Sequence, residues 1–318
     1  MPRGFPVPAV PADNPMSEAK VALGKRLFFE STLSVTGRYS CASCHDPARA
    51  FSDGRQLAAG ATGEATVHNA MSLTNVAYNV SFGWSKPGVR SLEEQMREPL
   101  LNEHPVELGL KGREAQVVAS LADDATYREA FAAAFPEAGG RVELEHVVKS
   151  IAAFERTLIS GRSPFDRYVF GGDHRALAEP AKRGMALFYS ARLGCGGCHT
   201  GFNFSGAWRD AQGATGEPSF ARNGIGTDAT RVPTLRNIQL TAPYMHDGRF
   251  STLAAVLAHY EQAGVRTDTT NEQREPALRG FTLSTTERRE LIAFLQSLTD
   301  PAFTAGFDGK RANSVSRR

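Results

Sequence analysis

The chain has 318 residues, of which 41% are hydrophobic and 22% are charged, and its formal net charge is +2. A chain of this length normally forms two domains, and this composition suffices for ordinary hydrophobic cores. The nearly balanced charge argues against nucleic acid or an acidic substrate as a partner. No apolar run has the length of a membrane-spanning helix, and residues 1–5 lack the apolar core of a signal peptide.

In the first half, residues 1–15 contain five prolines and predict an extended arm. The apolar spacing of residues 17–30 predicts a helix. Ser91 and Glu94 form a capping-box pattern at the start of another helix. Further helices are predicted over residues 113–135, with a break near Asp123 and Asp124, and over residues 144–159.

In the second half, helices are predicted over residues 251–262 and 285–298. Residues 309–318 are polar and basic, and we expect a poorly ordered tail. Almost no segment alternates between apolar and polar residues as a strand does. The sequence therefore predicts a mainly α fold.

All four cysteines lie in two copies of one pattern, Cys41-Ala42-Ser43-Cys44-His45 (the first motif) and Cys195-Gly196-Gly197-Cys198-His199 (the second motif). In C-x-x-C-H, the two thiols add to the vinyl groups of haem and the adjacent imidazole becomes an iron ligand. A redox dithiol or half of a zinc site is the alternative for a single copy. Two copies, with no cysteine left to complete a zinc tetrahedron, predict two covalent c-type haems.

The segments around the two motifs are similar to each other. Residues 184–189 match residues 24–29 in their glycine, leucine and paired aromatics, and residues 235–238 match residues 73–76. These similarities predict two cytochrome c-like haem domains related by internal duplication, over residues 1–162 and 163–318. Because c-type haems of bacteria are attached after export, we expect a periplasmic protein whose signal peptide has been trimmed.

The sixth iron position decides whether a haem performs chemistry or only transfers electrons. One face of the helix over 251–262 is marked by residues at i, i+3, i+4 and i+7, namely Leu253, Val256, Leu257 and Tyr260. This spacing turns His259 away, and Met245 and His246 precede the helix. The spacing thus favours Tyr260 as the ligand opposite His199, although an ordinary core tyrosine fits the same pattern.

Near the first motif, Glu107 or Glu103 could relay a proton between the oxygen atoms of peroxide. Solvated acids are the alternative for both residues. His68 and His104 are chemically able to bind iron, or are simply hydrogen-bonded. Trp84 lies between the two motifs in the sequence, where an indole serves either as an electron relay or as part of the core.

From about Leu23 to Leu298, the chain resembles the bacterial dihaem cytochrome c peroxidase and MauG family. Beyond the two motifs, the resemblance is carried by segments 75–79, 91–95, 105–109, 231–237 and 241–248. It implies that the N-terminal haem reacts with hydrogen peroxide and that the C-terminal haem is six-coordinate.

The resemblance also implies roles for individual residues. His45 and His199 are implied as proximal iron ligands, and Glu107 as the distal acid–base residue. Gln95 and Pro99 are implied to line the same pocket, and Trp84 is implied as the inter-haem tryptophan. The implied calcium ligands are Asn69 and the backbone oxygens of Thr241 and Pro243. Calcium suits carbonyl and amide oxygens in flexible number.

Two departures from the peroxidases indicate the subfamily. The peroxidases carry a methionine at the distal position of the second haem, where this chain has Tyr260. They often supply a histidine from a mobile loop to the first haem, where this chain has Ala61. The first haem is therefore expected to be five-coordinate unless His68 binds it, and the arrangement is similar to that of MauG.

A tyrosinate ligand stabilises the high oxidation states of iron more strongly than a thioether ligand does. The resemblance is closest to the MbnH-like branch, and it implies a bis-ferryl type of state that oxidises a tryptophan of an MbnP-like partner protein to kynurenine. The alternatives are a cytochrome c peroxidase that takes electrons from a small cytochrome, and an electron carrier without catalysis. MauG has a surface tryptophan where this chain has Leu193, so Trp208 or Tyr189 is the substitute expected for electron exit.

Overall fold

The computed structural model describes residues 1–217, 219–223, 225, 229–262 and 280–307, and the tail predicted over residues 309–318 lies outside them. As predicted, the described part of the chain is mainly helical. The first half contains the helices α1 Glu18–Phe28, α2 Leu92–Leu101, α3 Glu114–Asp123, α4 Ala125–Ala134 and α5 Leu144–Glu155. Short 3₁₀ turns connect them, and one of these, Cys41–Ser43, lies in the first motif.

The second half contains the helices α6 Pro164–Val169, α7 Glu179–Phe188, α8 Cys195–Cys198, α9 Leu253–Gln262, α10 Thr285–Gln296 and α11 Pro301–Ala305. Two short antiparallel pairs are formed by the strands β1 Trp208–Asp210 and β2 Gly213–Thr215, and β3 Phe220–Ala221 and β4 Thr230–Arg231. No helix in the described ranges combines the length and apolar content that a bilayer crossing requires.

Local sequence accounts for the helix ends. The Ser17 hydroxyl accepts from the Lys20 amide at the start of α1, and Asp124 ends α3 and caps α4 through the Thr126 amide. The capping box predicted at α2 forms in part. The Ser91 hydroxyl accepts from the Glu94 amide, but the Glu94 carboxylate accepts from the amide of Arg90 instead of that of Ser91.

Each half is built on one close helix crossing. At Gly24 in α1, an added Cβ atom would lie 1.8 Å from the carbonyl oxygen of Ser150 in α5. At Gly184 in α7, it would lie 2.0 Å from the carbonyl oxygen of Glu290 in α10. Only glycine allows helices to approach this closely, so the repeated glycine of the sequence marks the same crossing in both halves.

A buried polar network joins the halves. Asn75 exchanges hydrogen bonds with the backbone of Ser160, and Asn237 donates to the Ser160 hydroxyl and accepts from the Asp300 amide. Both asparagines have positive φ, which asparagine tolerates better than most residues. The proline-rich arm also lies on both halves, since the ring of Phe5 packs on Tyr78 and Phe202.

Candidate functional site

Backbone carbonyls hold the histidine of each motif, those of Phe51 and Met71 at His45 and those of Phe204 and Pro233 at His199. The Nδ1 atom of His45 donates to the Phe51 oxygen at 2.9 Å, and Nδ1 of His199 donates to the Phe204 oxygen at 2.9 Å. A carbonyl only accepts, so each bond places the proton on Nδ1 and the lone pair on Nε2. Burial lowers the pKa of both imidazoles and favours their neutral, metal-binding form.

A large cavity lies against the second motif, and we call it the C-terminal cavity. It contains about 1570 Å³ of empty space, including space open to solvent, and Cys195, Cys198 and His199 form part of its wall. Apolar side chains line much of the remainder, among them Phe188, Leu253, Leu257, Leu291 and Leu295. The two thiols and the imidazole of the second motif therefore lie at the wall of a wide, mainly apolar cavity.

Tyr260 lines this cavity together with the second motif. Burial raises the pKa of its hydroxyl, and the nearby thiols of Cys195 and Cys198 raise it further. The Tyr260 hydroxyl therefore lies within electrostatic range of both thiols. The structure therefore brings the predicted Tyr260 and His199 into one site.

The other side chains considered as ligands in the second half lie elsewhere or at the cavity edge. His259 is buried with its Nε2 atom 2.8 Å from the Asn223 carbonyl oxygen, and its ring packs on Phe250. Met245 and His246 line the C-terminal cavity. The His246 ring contacts the ring of His68, with 5.5 Å between centroids.

Glu107 lies beside the first motif. Its carboxylate acts electrostatically on the thiols of Cys41 and Cys44. Burial raises the pKa of the Glu107 carboxyl, the Glu98 carboxylate raises it further, and the Lys86 ammonium opposes both. Glu103 is exposed, as is His104, so the structure distinguishes the two acids that the sequence left open.

The backbone of Glu107 is held by the loop in which the peroxidases often carry a histidine. Ala61 is buried, and its amide donates to the Glu107 carbonyl oxygen at 2.6 Å. The Glu64 carboxylate accepts from the amide of Val106 at 3.0 Å. In this chain, the loop therefore braces the segment that carries the candidate acid.

Helix α2 supports the same segment from the other side. The carbonyl oxygen of Pro99 accepts from the amide of Leu108 at 2.9 Å. Gln95, Glu98 and Pro99 are each partly buried, and their spacing at i, i+3 and i+4 places them on one helix face. Because Glu98 acts on Glu107, this face of α2 is turned towards the candidate acid.

Trp84 lies at the wall of the C-terminal cavity. Its indole Nε1 donates to the carbonyl oxygen of Asn69 at 2.7 Å, and its ring contacts His246 edge to face with 6.4 Å between centroids. Asn69, Thr241 and Pro243, the predicted calcium ligands, line the same cavity. The structure thus gathers the tryptophan and the three oxygen donors at one wall.

The two residues considered for electron exit differ in exposure. Tyr189 is 51% exposed, and an added Cβ at Gly196 in the second motif would lie 2.7 Å from its ring. Trp208 is partly buried, with 5.8 Å between its ring centroid and that of Phe202. Tyr189 therefore connects the second motif directly to the surface.

Comparison with known proteins supports the resemblance. The family model described as di-haem cytochrome c peroxidase matches residues 18–174. The methylamine utilization protein MauG of Methylorubrum extorquens is 35% identical over 92% of this chain and 82% of its own length. The cytochrome-c peroxidase IdrP1 of Pseudomonas sp. strain SCT is 32% identical over 92% of this chain and 84% of its own length.

The chain belongs to the dihaem cytochrome c peroxidase and MauG family. It is accordingly a peroxide-dependent oxidoreductase whose cofactors are two haems. The solved structure of a MauG-like protein associated with microbial copper homeostasis superposes with a TM-score of 0.90 at 34% identity, over 96% of both chains.

The residues at the C-terminal cavity fit the haem that the family implies. Arg231 is buried, lines the cavity, and has an Nε atom without a hydrogen-bond partner in the part of the chain that the structure describes. Burial lowers the pKa of its guanidinium to about 10. A buried cation requires an anion, and haem brings two carboxylates together with its apolar ring.

Two buried charged residues at these sites were not recognised from the sequence. Arg231 stands in a segment that carried the family resemblance, but nothing in the pattern separates a buried arginine from a solvated one. Glu155 is only 3% exposed at the end of α5, where the helical spacing did not mark it. An ionic residue on the buried stripe of a helix is the signal that could have identified Glu155.

Proposed function

We propose that this enzyme uses hydrogen peroxide to oxidise a tryptophan of a partner protein to kynurenine, as in the MbnH-like branch. The observation that carries the proposal is the position of Tyr260, which lines the C-terminal cavity together with the second motif and lies within electrostatic range of its two thiols. The high structural similarity to a MauG-like protein associated with microbial copper homeostasis supports the same branch.

Haem supplies the binding and cleavage of peroxide and the storage of its oxidising equivalents. We propose that His45 and His199 hold the two irons through Nε2, and that the thiols of Cys41, Cys44, Cys195 and Cys198 attach the rings. Tyr260 would be the second protein ligand of the haem that His199 would hold. A hard anionic oxygen donor favours high oxidation states of iron, so this half is suited to storage.

Glu107 is the proposed acid–base residue at the first motif. Its raised pKa brings the carboxyl closer to the pH at which it can both accept and return a proton. The bracing loop with Ala61 and the α2 face with Gln95 and Pro99 orient its segment. Ala61 stands where the peroxidases often carry a histidine, so this position of the loop would supply no ligand to the first haem.

Trp84 is the proposed relay for electrons between the two haems. Its ring lies at the wall of the C-terminal cavity, and its hydrogen bond to the Asn69 carbonyl fixes its orientation. The adjacent Asn69 side chain donates its amide nitrogen to the carbonyl oxygens of Arg55 and Gln56. Its Oδ1 atom is the atom left to bind calcium, which we propose with the carbonyls of Thr241 and Pro243.

Conversion of tryptophan consumes two molecules of peroxide. Insertion of two oxygen atoms into the indole yields N-formylkynurenine and two molecules of water, and hydrolysis then releases formate and kynurenine. The partner protein supplies the electrons that reduce the peroxide. We further propose that this reaction takes place in the periplasm, where c-type haems are attached.

We also infer that the two halves, residues 1–162 and 163–318, are domains that arose by duplication. Three paired features support this inference: the crossings at Gly24 and Gly184, the carbonyl bonds of His45 and His199, and the positive φ of Asn75 and Asn237. Among the residues that differ between the halves are Glu107 near the first motif and Tyr260 near the second.

The experiment that tests the function compares the wild type with Tyr260→Met and Tyr260→Phe. Purified enzyme is mixed with peroxide and a co-encoded periplasmic protein, and the protein is analysed by mass spectrometry for oxygen insertion at tryptophan. We expect modification by the wild type and its loss in both variants, because a thioether or an empty position no longer stabilises the stored equivalents. Unchanged modification in both variants would falsify the role of Tyr260.

A cytochrome c peroxidase is the second candidate, since IdrP1 shares 32% identity with this chain. It predicts rapid steady-state oxidation of reduced cytochrome c by the wild type, without modification of any partner tryptophan. Electron uptake from a small redox protein together with an unmodified partner would replace the first proposal by the second.

A further inference from the structure

Glu155 is a buried acid whose hydrogen bonds the polypeptide leaves incomplete. Its Oε2 atom has no partner among the residues that the structure describes, although only 3% of the residue is exposed. Burial raises the pKa of its carboxyl to about 8, against the opposing effect of the Arg156 guanidinium. A buried carboxyl oxygen without a hydrogen-bond partner indicates that a group other than the polypeptide interacts with it.

The second half of the molecule shows where Glu155 lies. Phe154 of α5 and Phe294 of α10 pack in the same way on the glycine of the helix that each crosses. The residue directly after this phenylalanine is Glu155 in α5 and Leu295 in α10. Leu295 lines the C-terminal cavity beside the second motif. By this equivalence, Glu155 faces the space beside the first motif, where the N-terminal haem belongs.

An electrostatic contact places Glu155 at the first motif independently of this equivalence. After burial, the Glu155 carboxylate is the largest influence that raises the pKa of the Cys41 thiol. Glu107 acts on the same thiol more weakly. Since Cys41 is a haem attachment residue, two acids approach the first haem site, and only Glu107 has been given a role above.

The surrounding charges do not neutralise Glu155. The Arg156 guanidinium is held by the Glu93 carboxylate of α2 at 2.7 Å, and Glu93 itself raises the pKa of Glu155. The basic side chains of α1 lie over aromatic rings instead, with Lys20 over Phe135, Lys25 over Phe307 and Arg26 over Tyr127. A change of charge at the haem is therefore felt by Glu155 with little compensation from other groups.

We propose that Glu155 is the redox-linked proton acceptor of the N-terminal haem. It takes up one proton from solvent when this haem gains one electron, and it returns the proton when the electron leaves. Only the carboxyl O–H bond forms or breaks, and the net charge of the buried site stays constant. Leu295 has no proton to exchange, so the C-terminal haem lacks an acceptor at this position.

The test is a spectroelectrochemical titration of both haems in the intact enzyme at several pH values on either side of about 8. With one proton per electron, the midpoint potential of the N-terminal haem falls by about 59 mV for each tenfold fall in proton concentration. We expect the wild type to approach this slope between the pKa of Glu155 with oxidised haem and its pKa with reduced haem, and Glu155→Gln and Glu155→Leu to lose most of it. Equal slopes in the wild type and both variants would overturn the proposal.

The controls separate Glu155 from other titrating groups. Glu155→Leu installs the residue that the other half carries at the same place, so its packing is already demonstrated in this fold. Glu103→Gln alters an exposed acid and is expected to keep the wild-type slope. If Glu107→Gln removes the slope while Glu155→Gln retains it, the proton belongs to Glu107 and the proposal is wrong. The measurement requires no partner protein, so its outcome is independent of the proposed function.

Discussion

The two halves hold their motifs through the same contacts but surround them with different side chains. In both, a glycine brings two helices into contact, a phenylalanine pair packs beside it, and a carbonyl fixes the histidine tautomer. The first motif has the acids Glu107 and Glu155 nearby, whereas the second has Tyr260 and Leu295.

In the proposed function, this difference divides two tasks between the halves. The contacts that the halves share only position the histidine and the thiols. Proton exchange requires ionisable groups at the first site, whereas storage of oxidising equivalents requires an anionic ligand and an apolar wall at the second. In this proposal, the side chains near each motif separate the two tasks, while the helix crossings at Gly24 and Gly184 are alike.

The largest effect on the reaction with peroxide is expected from replacing Glu107, an acid that the second half lacks. Glu107→Gln keeps the shape of the side chain but abolishes proton exchange, so the rate of reaction with peroxide should fall about 10²–10⁴-fold. Stopped-flow absorbance measures this rate. Glu103→Gln, which changes an exposed acid four residues away, serves as the control and should react like the wild type. Equal rates for both variants would remove Glu107 from the mechanism.

The next prediction tests whether the helix crossings are equivalent. Gly24→Ala and Gly184→Ala each drive a methyl group into a carbonyl of the facing helix, so each should lower the free energy of unfolding by about 3 kcal/mol. Denaturant unfolding followed by circular dichroism measures the loss. Gly88→Ala is the matched control, because an added Cβ there meets nothing within 4 Å. A neutral result at only one crossing would show that the halves are packed differently.

Trp84→Phe tests communication between the halves. The substitution retains an aromatic ring but loses the Nε1 donor to the Asn69 carbonyl and the more easily oxidised indole. We expect electron exchange between the haems to slow roughly tenfold, equivalent to about 1.4 kcal/mol in the barrier. Rapid-scan absorbance after addition of peroxide follows both haems, and Trp208→Phe is the control. Synchronous changes at both haems in Trp84→Phe would contradict a relay at this position.

The smallest effect concerns the pH profile of the first site. The Glu98 carboxylate raises the pKa of Glu107 and the Lys86 ammonium lowers it. If ionised Glu107 accepts the proton from peroxide, the rate rises with pH through this pKa. Glu98→Gln should therefore shift the rise to lower pH, and Lys86→Met should shift it to higher pH. Shifts in the same direction would show that another group controls the profile.

Helix positions were predictable because their signals are local. The break at Asp124 and the start of α1 at Ser17 follow from capping side chains within a few residues of the helix ends. The partial failure at α2 has a local cause as well, since the Glu94 carboxylate accepts from the amide of Arg90, one residue before the predicted donor, the amide of Ser91.

The site residues could be predicted only where the family resemblance or a helical stripe marked them. Tyr260 belongs to such a stripe, and the structure turns it towards the second motif. Glu103 and Glu107 are chemically identical; the family resemblance implied Glu107, and the exposure of Glu103 agrees with that choice. Glu155 and Arg231 escaped notice because burial of a charge depends on neighbours that are distant in the sequence.

By itself, the sequence determined the covalent chemistry and the helices: two C-x-x-C-H motifs define where haem is attached, and residue spacing within a few turns defines each helix. Only the tertiary structure decided which acid approaches the first motif, which side chain faces the second, and which charges are buried. The physical reason is that attachment and helix formation depend on neighbours along the chain, whereas the wall of a cavity combines segments such as residues 69–72, 231–235 and 253–260.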